Sequence, residues 1–155
     1  MLVDGFPRAD LCNCLALRQA ARHVTQFYDQ FLAPTGLRAS QFGVLAKLCR
    51  KGPMSINALA RELVLDRTTL GRNILPLERE GLIEVKQSET DRRSKELHLT
   101  ETGLERLRAA AQGWAKAQEQ FEATFGSRLC ADMRTTLKTI TSHDLGADVS
   151  AEVEL

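Results

Sequence analysis

Apolar residues recur at helical spacing over most of the chain and alternate with polar residues over two short stretches. Apolar side chains return every three or four positions in six segments, which we expect to be helices: 11–32, 37–49, 55–64, 66–80, 100–125 and 127–140. The alternating stretches, 82–87 and 95–99, are typical of strands and flank a charged turn. The sequence therefore predicts a mainly α fold with one small β-hairpin.

The two shortest predicted helices form a helix-turn-helix pattern. Ser55 and Asp66 are good N-terminal caps, and the helices meet at the break 64–66. The second helix carries one apolar stripe, formed by Leu70, Ile74 and Leu77. Its opposite side gathers residue types that read base edges in DNA: Arg67, Thr68, Thr69, Arg72 and Asn73.

The predicted hairpin has a basic tip. Gly81 ends the preceding helix, and the turn 88–94 between the two strands carries adjacent arginines. We call this hairpin, residues 82–99, the wing. Helix-turn-helix spacing alone is also common in helical cores, but a basic wing beside such a unit contacts the DNA backbone or minor groove while the helix enters the major groove. The combination indicates DNA binding.

Four short motifs carry a family resemblance. They are L-A-R-E-L at 59–63, L-E-R-E-G-L-I at 77–83, D-R-R-S-K at 91–95 and L-T-E-T-G at 99–103. Together they resemble the winged-helix core of the MarR family of bacterial transcriptional regulators, over roughly residues 11–140. The resemblance implies a winged helix-turn-helix at 37–99, flanked by dimerisation helices at 11–36 and 100–143.

The resemblance also implies roles for the wing residues. Arg93 and Asp91 stand at the family's Asp-x-Arg motif, where the arginine contacts the minor groove or the backbone and the aspartate braces the loop. Arg92 and Lys95 would then contact phosphates; the alternative for Arg92 and Arg93 is a solvated hairpin tip. In the helix, Arg72 and Arg67 are the first candidates for pairing with guanine, although Arg67 is equally suited to a phosphate.

Three of the predicted helices carry long apolar stripes that the small winged domain does not need. In 11–32 the stripe steps by three and four positions through Cys14, Leu17, Ala21, Val24, Tyr28 and Phe31. Similar stripes follow in 100–125 and 127–140. We expect a second copy to cover them, giving a twofold homodimer on a near-palindromic double-stranded operator. The alternative is one monomeric bundle.

Composition adds a distribution of charge rather than a large net charge. The formal net charge is +1, with 26% charged and 43% hydrophobic residues, an ordinary composition for one folding unit. The four acids of 144–155, removed from 20 acidic residues, leave 16 against 21 basic ones. We expect an acidic, disordered tail at 144–155 and a flexible arm at 1–10.

Candidate chemistry is sparse. The sequence shows no signal peptide, no membrane-length apolar run, no nucleophile with an orienting base and no phosphate loop. The three histidines are scattered and the four cysteines fit a reducing compartment. We therefore expect a cytoplasmic protein that is not an enzyme and has no cofactor and no metal.

The switch that would control such a regulator has two candidates. The family resemblance implies a repressor released by a small aromatic or phenolic ligand. The run L-C-N-C-L at 11–15 also resembles the organic-hydroperoxide-sensing branch, in which Cys14 is the better match to the reactive cysteine. Two features argue against that reading. The sensing thiol of that branch is accompanied by several tyrosines, whereas Tyr28 is the only tyrosine here. Cys14 also lies on an apolar stripe, where inert packing is usual. A winged helix used only to bind proteins is the alternative from another class.

Overall fold

The computed structural model describes residues 2–3 and 5–145. In chain order its elements are β1 (Leu2–Val3), β2 (Phe6–Pro7), α1 (Asn13–Leu32), α2 (Ala39–Lys51), β3 (Met54–Ser55), α3 (Ile56–Leu63), α4 (Arg67–Arg79), β4 (Ile83–Gln87), β5 (Lys95–Leu99), α5 (Glu101–Phe125) and α6 (Ser127–Ser142). The mainly α fold with a small wing is confirmed. No helix among these residues has the length and apolar character that crossing a bilayer requires.

The two chain ends were predicted to lack regular structure. In the first ten residues the structure has a short antiparallel pair, β1 with β2, in which Leu2 lies opposite Pro7. A single 3-10 turn, Ala9–Leu11, follows before α1. The predicted acidic tail lies outside the described residues from position 146 onward.

The first compact unit ends at Ala117 and contains the winged helix-turn-helix. Its core is built from leucines of α1 to α4 and of the wing, and the following are fully buried: Leu32, Leu45, Leu59, Leu70, Leu77, Leu82 and Leu97. Burial of one such side chain contributes about 1.5–3 kcal/mol. The predicted stripe on α4 is confirmed, because Ile74 is also only 5% exposed.

Both predicted N-caps of the helix-turn-helix are confirmed. Ser55 Oγ accepts a hydrogen bond from Ala58 N at 3.1 Å, and Asp66 Oδ1 accepts one from Thr69 N at 2.8 Å. The turn between α3 and α4 ends α3 with Leu65 N donating to Ala60 O at 2.9 Å. Val64 adopts the left-handed conformation there, with φ 53°, at a position where glycine is usual.

The wing sheet has one strand more than the sequence predicted. β4 and β5 form the expected antiparallel hairpin, with Val85 opposite Leu97. β3 adds to the other edge of β5 through Met54, which also lies opposite Leu97. Two residues are too short to show the alternation by which a strand is recognised in a sequence. Because β3 runs directly into α3, the third strand connects the wing to the helix-turn-helix.

Two glycines allow α5 to approach the backbone of its neighbours. A Cβ at Gly103 would lie 2.0 Å from Leu82 O, and a Cβ at Gly113 would lie 2.3 Å from Phe31 O. No side chain fits at such distances. The N-terminal part of α5 therefore packs on the junction between α4 and the wing, and its middle packs on the end of α1.

Charged side chains add two further connections within this unit. Glu62 of α3 lies 2.5 Å from Lys51 Nζ and 3.2 Å from Lys47 Nζ, both on α2. Hydrogen bonds from Lys51 and then Lys47 lower the pKa of Glu62. Arg106 Nη1 of α5 donates to Thr35 O at 3.1 Å and lies 3.3 Å from Glu80 Oε2.

The second compact unit begins at Gln118 and contains the end of α5 and α6. Arg134 Nη1 lies 3.1 Å from Glu122 Oε1 within this unit. The stripe predicted for α6 is exposed in the single chain at all four positions: Leu129 58%, Met133 38%, Leu137 38% and Ile140 36%. An amphipathic helix with an uncovered apolar face is typical of an interface.

Replacing either close-approach glycine should destabilise the fold. We expect Gly103→Ala and Gly113→Ala each to lower the free energy of unfolding by about 1–3 kcal/mol, because the new Cβ meets a backbone oxygen. Urea unfolding followed by circular dichroism measures the change. Gly43→Ala on α2 is the matched control, since a Cβ there meets nothing within 4 Å. That control should gain up to about 1 kcal/mol from helix propensity. Equal stability of all three variants would contradict the packing of α5 described above.

Candidate nucleic-acid interface

The outward side of α4 presents the residues that the sequence selected for base readout. Since Leu70, Ile74 and Leu77 face the core, the opposite side of the helix faces solvent. Arg67, Thr68 and Arg72 are exposed, whereas Thr69 and Asn73 are half-buried. The structure thus brings the predicted α4 residues together on and beside one exposed helix face.

Thr69 participates in the cap of α4. Its Oγ1 donates to Asp66 Oδ2 at 2.6 Å, and its backbone N donates to the other carboxylate oxygen. These two hydrogen bonds lower the pKa of Asp66, the side-chain bond most. The hydroxyl proton of Thr69 is therefore used within the chain, and only its oxygen lone pairs are left for a base.

The tip of the wing is held by hydrogen bonds to its own backbone. Asp91 Oδ1 accepts from Arg93 N at 2.9 Å, and Asp91 O accepts from Ser94 N at 2.9 Å. Ser88 N in turn donates to Ser94 O at 2.9 Å, which closes the turn. The side chain of Gln87 donates to the carbonyl of Arg92. These contacts fix the backbone from which Arg92 and Arg93 project.

Ser88 is a structural residue of the wing that the sequence analysis missed. It is 5% exposed, although it lies beside a charged turn. Its Oγ accepts from Thr90 N and Asp91 N, each at 3.3 Å. The sequence does carry a signal for this role. A serine hydroxyl can accept hydrogen bonds from the backbone amides two and three residues later, and here those residues lie in a turn.

The cationic side chains of α4 and the wing tip are exposed and unpaired. Among the residues that the structure describes, none of these side chains hydrogen-bonds or ion-pairs with another residue: Arg67, Arg72, Arg92, Arg93 and Lys95. Lys86, by contrast, lies 2.5 Å from Glu84 Oε1 on the same wing. Unpaired guanidinium groups can bind phosphate oxygens or pair with guanine in the major groove.

The cysteines near the chain start have different environments from those that the sequence suggested. Cys12 is the N-cap of α1, and its Sγ accepts a hydrogen bond from Leu15 N at 3.4 Å. Cys14, the predicted redox residue, lies in the first turn of α1 and is also exposed. The sequence pointed to Cys14 by its spacing to later residues of the same helix, and that spacing does not show which cysteine caps α1. Over the described residues, no three His, Cys, Asp or Glu side chains are grouped to hold a metal ion.

Comparison with known sequences identifies transcriptional regulators as relatives of this chain. A proposed transcriptional regulatory protein for the hcr operon of Thauera aromatica is 31% identical over 129 residues, which cover 83% of this chain and 74% of that protein. The organic hydroperoxide resistance transcriptional regulator of Bacillus subtilis strain 168 is 31% identical over 90 residues, or 58% of this chain and 61% of that protein. The first match extends well beyond the winged domain.

Solved structures show the same fold. The M. tuberculosis transcriptional regulator MosR in complex with DNA superposes with a TM-score of 0.73 and 32% identity, covering 84% of this chain and 97% of that one. CouR from Rhodococcus jostii RHA1, bound to p-coumaroyl-CoA, has a TM-score of 0.73, 24% identity and coverage of 85% and 93%. At that identity the second comparison supports the fold alone.

The family model agrees with the geometry. The model of the MarR family matches residues 37–95, the segment that contains the helix-turn-helix and the wing tip. The match to the Thauera protein extends the relationship over most of the chain. The exposed face of α4 and the braced, arginine-bearing wing tip lie within the matched segment. The chain therefore belongs to the MarR family of DNA-binding transcriptional regulators.

Proposed function

We propose that this regulator is a sequence-specific repressor that binds a near-palindromic operator as a twofold homodimer in the cytoplasm. The observation that carries the proposal is the set of exposed, unpaired cations on α4 and on the wing tip. The α4 residues would enter the major groove, and the wing would follow the neighbouring backbone or minor groove. Family membership assigns the chain to regulators of transcription rather than to enzymes.

Within this proposal the two cationic groups have different tasks. Arg72 is the principal base-reading residue, because it is exposed on the outward side of α4. Arg67, Thr68 and Asn73 complete the readout, with Arg67 able to reach a phosphate from the first turn; Thr69 mainly supports the cap. In the wing Arg93 contacts the minor groove or backbone, Arg92 and Lys95 contact phosphates, and Asp91 braces the turn.

The proposed homodimer rests on apolar surface that the single chain leaves uncovered. In α1 Leu17 is 42% exposed, and α6 exposes its entire apolar stripe. A second copy is the simplest partner for such faces. Two copies related by a twofold axis would present two α4 helices to half-sites about 34–36 Å apart, one turn of DNA.

The proposed effector is a small aromatic or phenolic compound. A solved structure of similar fold, CouR, is described as bound to p-coumaroyl-CoA, an aromatic acyl thioester. A ligand that binds better to a DNA-incompetent arrangement of this chain would release the operator. Release of the operator by the ligand would end repression.

A second candidate switch is oxidation of a thiol by an organic hydroperoxide. It is favoured by the environment of Cys12, whose Sγ lies at the N-terminus of the 20-residue helix α1 and accepts a hydrogen bond there. The Cys12 thiol is also exposed, so a hydroperoxide can reach it. The Cys12 thiol would react with the hydroperoxide: a sulfur–oxygen bond forms as the oxygen–oxygen bond breaks, and the thiol proton goes to the departing alkoxide, so that a sulfenic acid and an alcohol result. Cys14 is the neighbouring alternative.

Separate removal of the two arginines tests the DNA-binding proposal. Arg93→Ala should weaken binding to specific and unrelated duplexes alike, with a smaller dependence of affinity on salt. Arg72→Ala should lower the preference for the specific duplex by about 1–3 kcal/mol, because a base contact is lost. Fluorescence anisotropy at several salt concentrations measures both. Unchanged binding in both variants would contradict the roles given to the two arginines, and failure of the wild type to bind any duplex at moderate salt would favour a winged helix that binds only proteins.

The mass of the particle in solution tests the homodimer. One chain has a mass of 17.2 kDa, so light scattering at micromolar concentration should return about twice that value. Leu137→Glu, on the exposed stripe of α6, should shift the particle toward the mass of one chain and weaken operator binding. Thr135→Glu places the same charge on the opposite side of α6 and should leave the dimer intact. A wild-type particle of single-chain mass would contradict the proposal.

Treatment with cumene hydroperoxide tests the thiol switch. If it operates, oxidised wild type should lose most of its operator affinity and regain it after reduction, whereas Cys12→Ala should remain bound. Cys49→Ala is the control for an exposed cysteine elsewhere in the chain. Retained affinity of the oxidised wild type would leave the small ligand as the effector, and protection by Cys14→Ala alone would move the switch to that residue.

A further inference from the structure

The exposed face of α4 includes a large apolar side chain beside its polar and charged residues. Leu75 is 47% exposed, although the other leucines of this helix, Leu70 and Leu77, are fully buried. It follows Thr68 by seven residues and Arg72 by three, so the three side chains share the outward side of the helix. A large apolar side chain in the centre of a DNA-facing surface is available for contact with an apolar group of the DNA.

No contact among the described residues explains why position 71, one turn before Leu75, is a glycine. Its φ is not in the left-handed region, since the glycines with positive φ lie elsewhere among the described residues. A Cβ built on it meets no other atom within 4 Å. Glycine inside a helix is less favourable than alanine, so the helix gives up stability at a position where alanine would fit. A glycine on a helix also lets another molecule approach the backbone closely.

The two positions form one surface feature. Side chains four residues apart lie on the same side of a helix, and each leans over the turn that precedes it. Leu75 therefore leans toward the backbone of Gly71, which has no side chain of its own. We call this surface, formed by the uncovered backbone at Gly71 and the side chain of Leu75, the Gly71–Leu75 step. Arg67 lies one turn before it and Arg72 beside it.

The major groove offers one apolar group that matches this step. Thymine carries a C5-methyl group on its major-groove edge, and the other three bases present only donors and acceptors there. We propose that the Gly71–Leu75 step binds the methyl group of one thymine in each half-site and so makes Leu75 a specificity-determining residue. The inference rests on the proposed function, because it requires α4 to enter the major groove.

Deoxyuridine provides a direct test, since it differs from thymidine only in lacking the methyl group. An operator is first selected from a pool of random duplexes with the full-length protein, and each thymine is then replaced in turn by deoxyuridine. Anisotropy titration should find one position per half-site at which the replacement weakens wild-type binding about fourfold, the effect of losing one buried methyl group. Leu75→Ala should bind the thymine and deoxyuridine duplexes equally.

Gly71→Ala tests the second half of the step. The variant should unfold at a higher temperature than wild type, because alanine favours the helix, and yet bind the selected operator several-fold more weakly, because its Cβ occupies the place of the methyl group. That loss should be smaller on the deoxyuridine duplex. Gly43→Ala on α2 should show the higher unfolding temperature without the loss of affinity. Equal operator affinity of wild type and Gly71→Ala would overturn the close approach.

The outcomes separate this inference from the proposal beneath it. If no duplex can be selected, the proposed function fails and this inference fails with it. If a duplex is selected but tolerates deoxyuridine at every position, or if Leu75→Ala keeps the preference for thymine, the inference alone is overturned.

Discussion

Burial of a single stripe on α4 determines how the rest of the interface is displayed. Leu70, Ile74 and Leu77 leave almost no surface exposed, so the rotation of the helix about its own axis is fixed by the core. The direction in which Arg72 and Leu75 point is a consequence of that packing, not of any interaction of their own. A core that held α4 less firmly would present a different set of side chains to the same partner.

The second constraint concerns the distance between α4 and the wing. Thr100 Oγ1 donates to Gly81 O at 2.6 Å, and Thr100 N donates to Leu82 O at 3.1 Å, so the start of α5 holds the short connection between them. Gly103 lets α5 rest directly on the same backbone. A single helix, α5, thus fixes the positions of α4 and the wing relative to each other. Any movement of α5 that changes these contacts would alter both parts together.

Much of this arrangement could be predicted from the sequence, for reasons that particular residues illustrate. The stripe on α4 and the caps Ser55 and Asp66 are local patterns, and a local pattern is visible without the fold. The strand β3 was missed because two residues show no period, and its pairing with β5 joins positions far apart in the chain.

Other features depend on side-chain placement that no sequence pattern shows. The burial of Ser88, and the lack of ion pairs between Arg72 and the other described residues, become visible only when the surroundings of each residue are known. The Cys12 cap required knowing that α1 begins one residue later, at Asn13. The exposed stripes on α1 and α6 would be covered only in the proposed homodimer, which a single chain does not contain.

The cap of α4 has a consequence for how an operator backbone would be held. Helix N-termini commonly attract phosphate through free amides and a partial positive charge. Here the Asp66 carboxylate already occupies an amide of the first turn and places a full negative charge beside it. A phosphate placed at this end of α4 would meet that carboxylate instead of a free helix N-terminus. In the proposed complex the contacts to the backbone would therefore fall to arginine side chains such as Arg67.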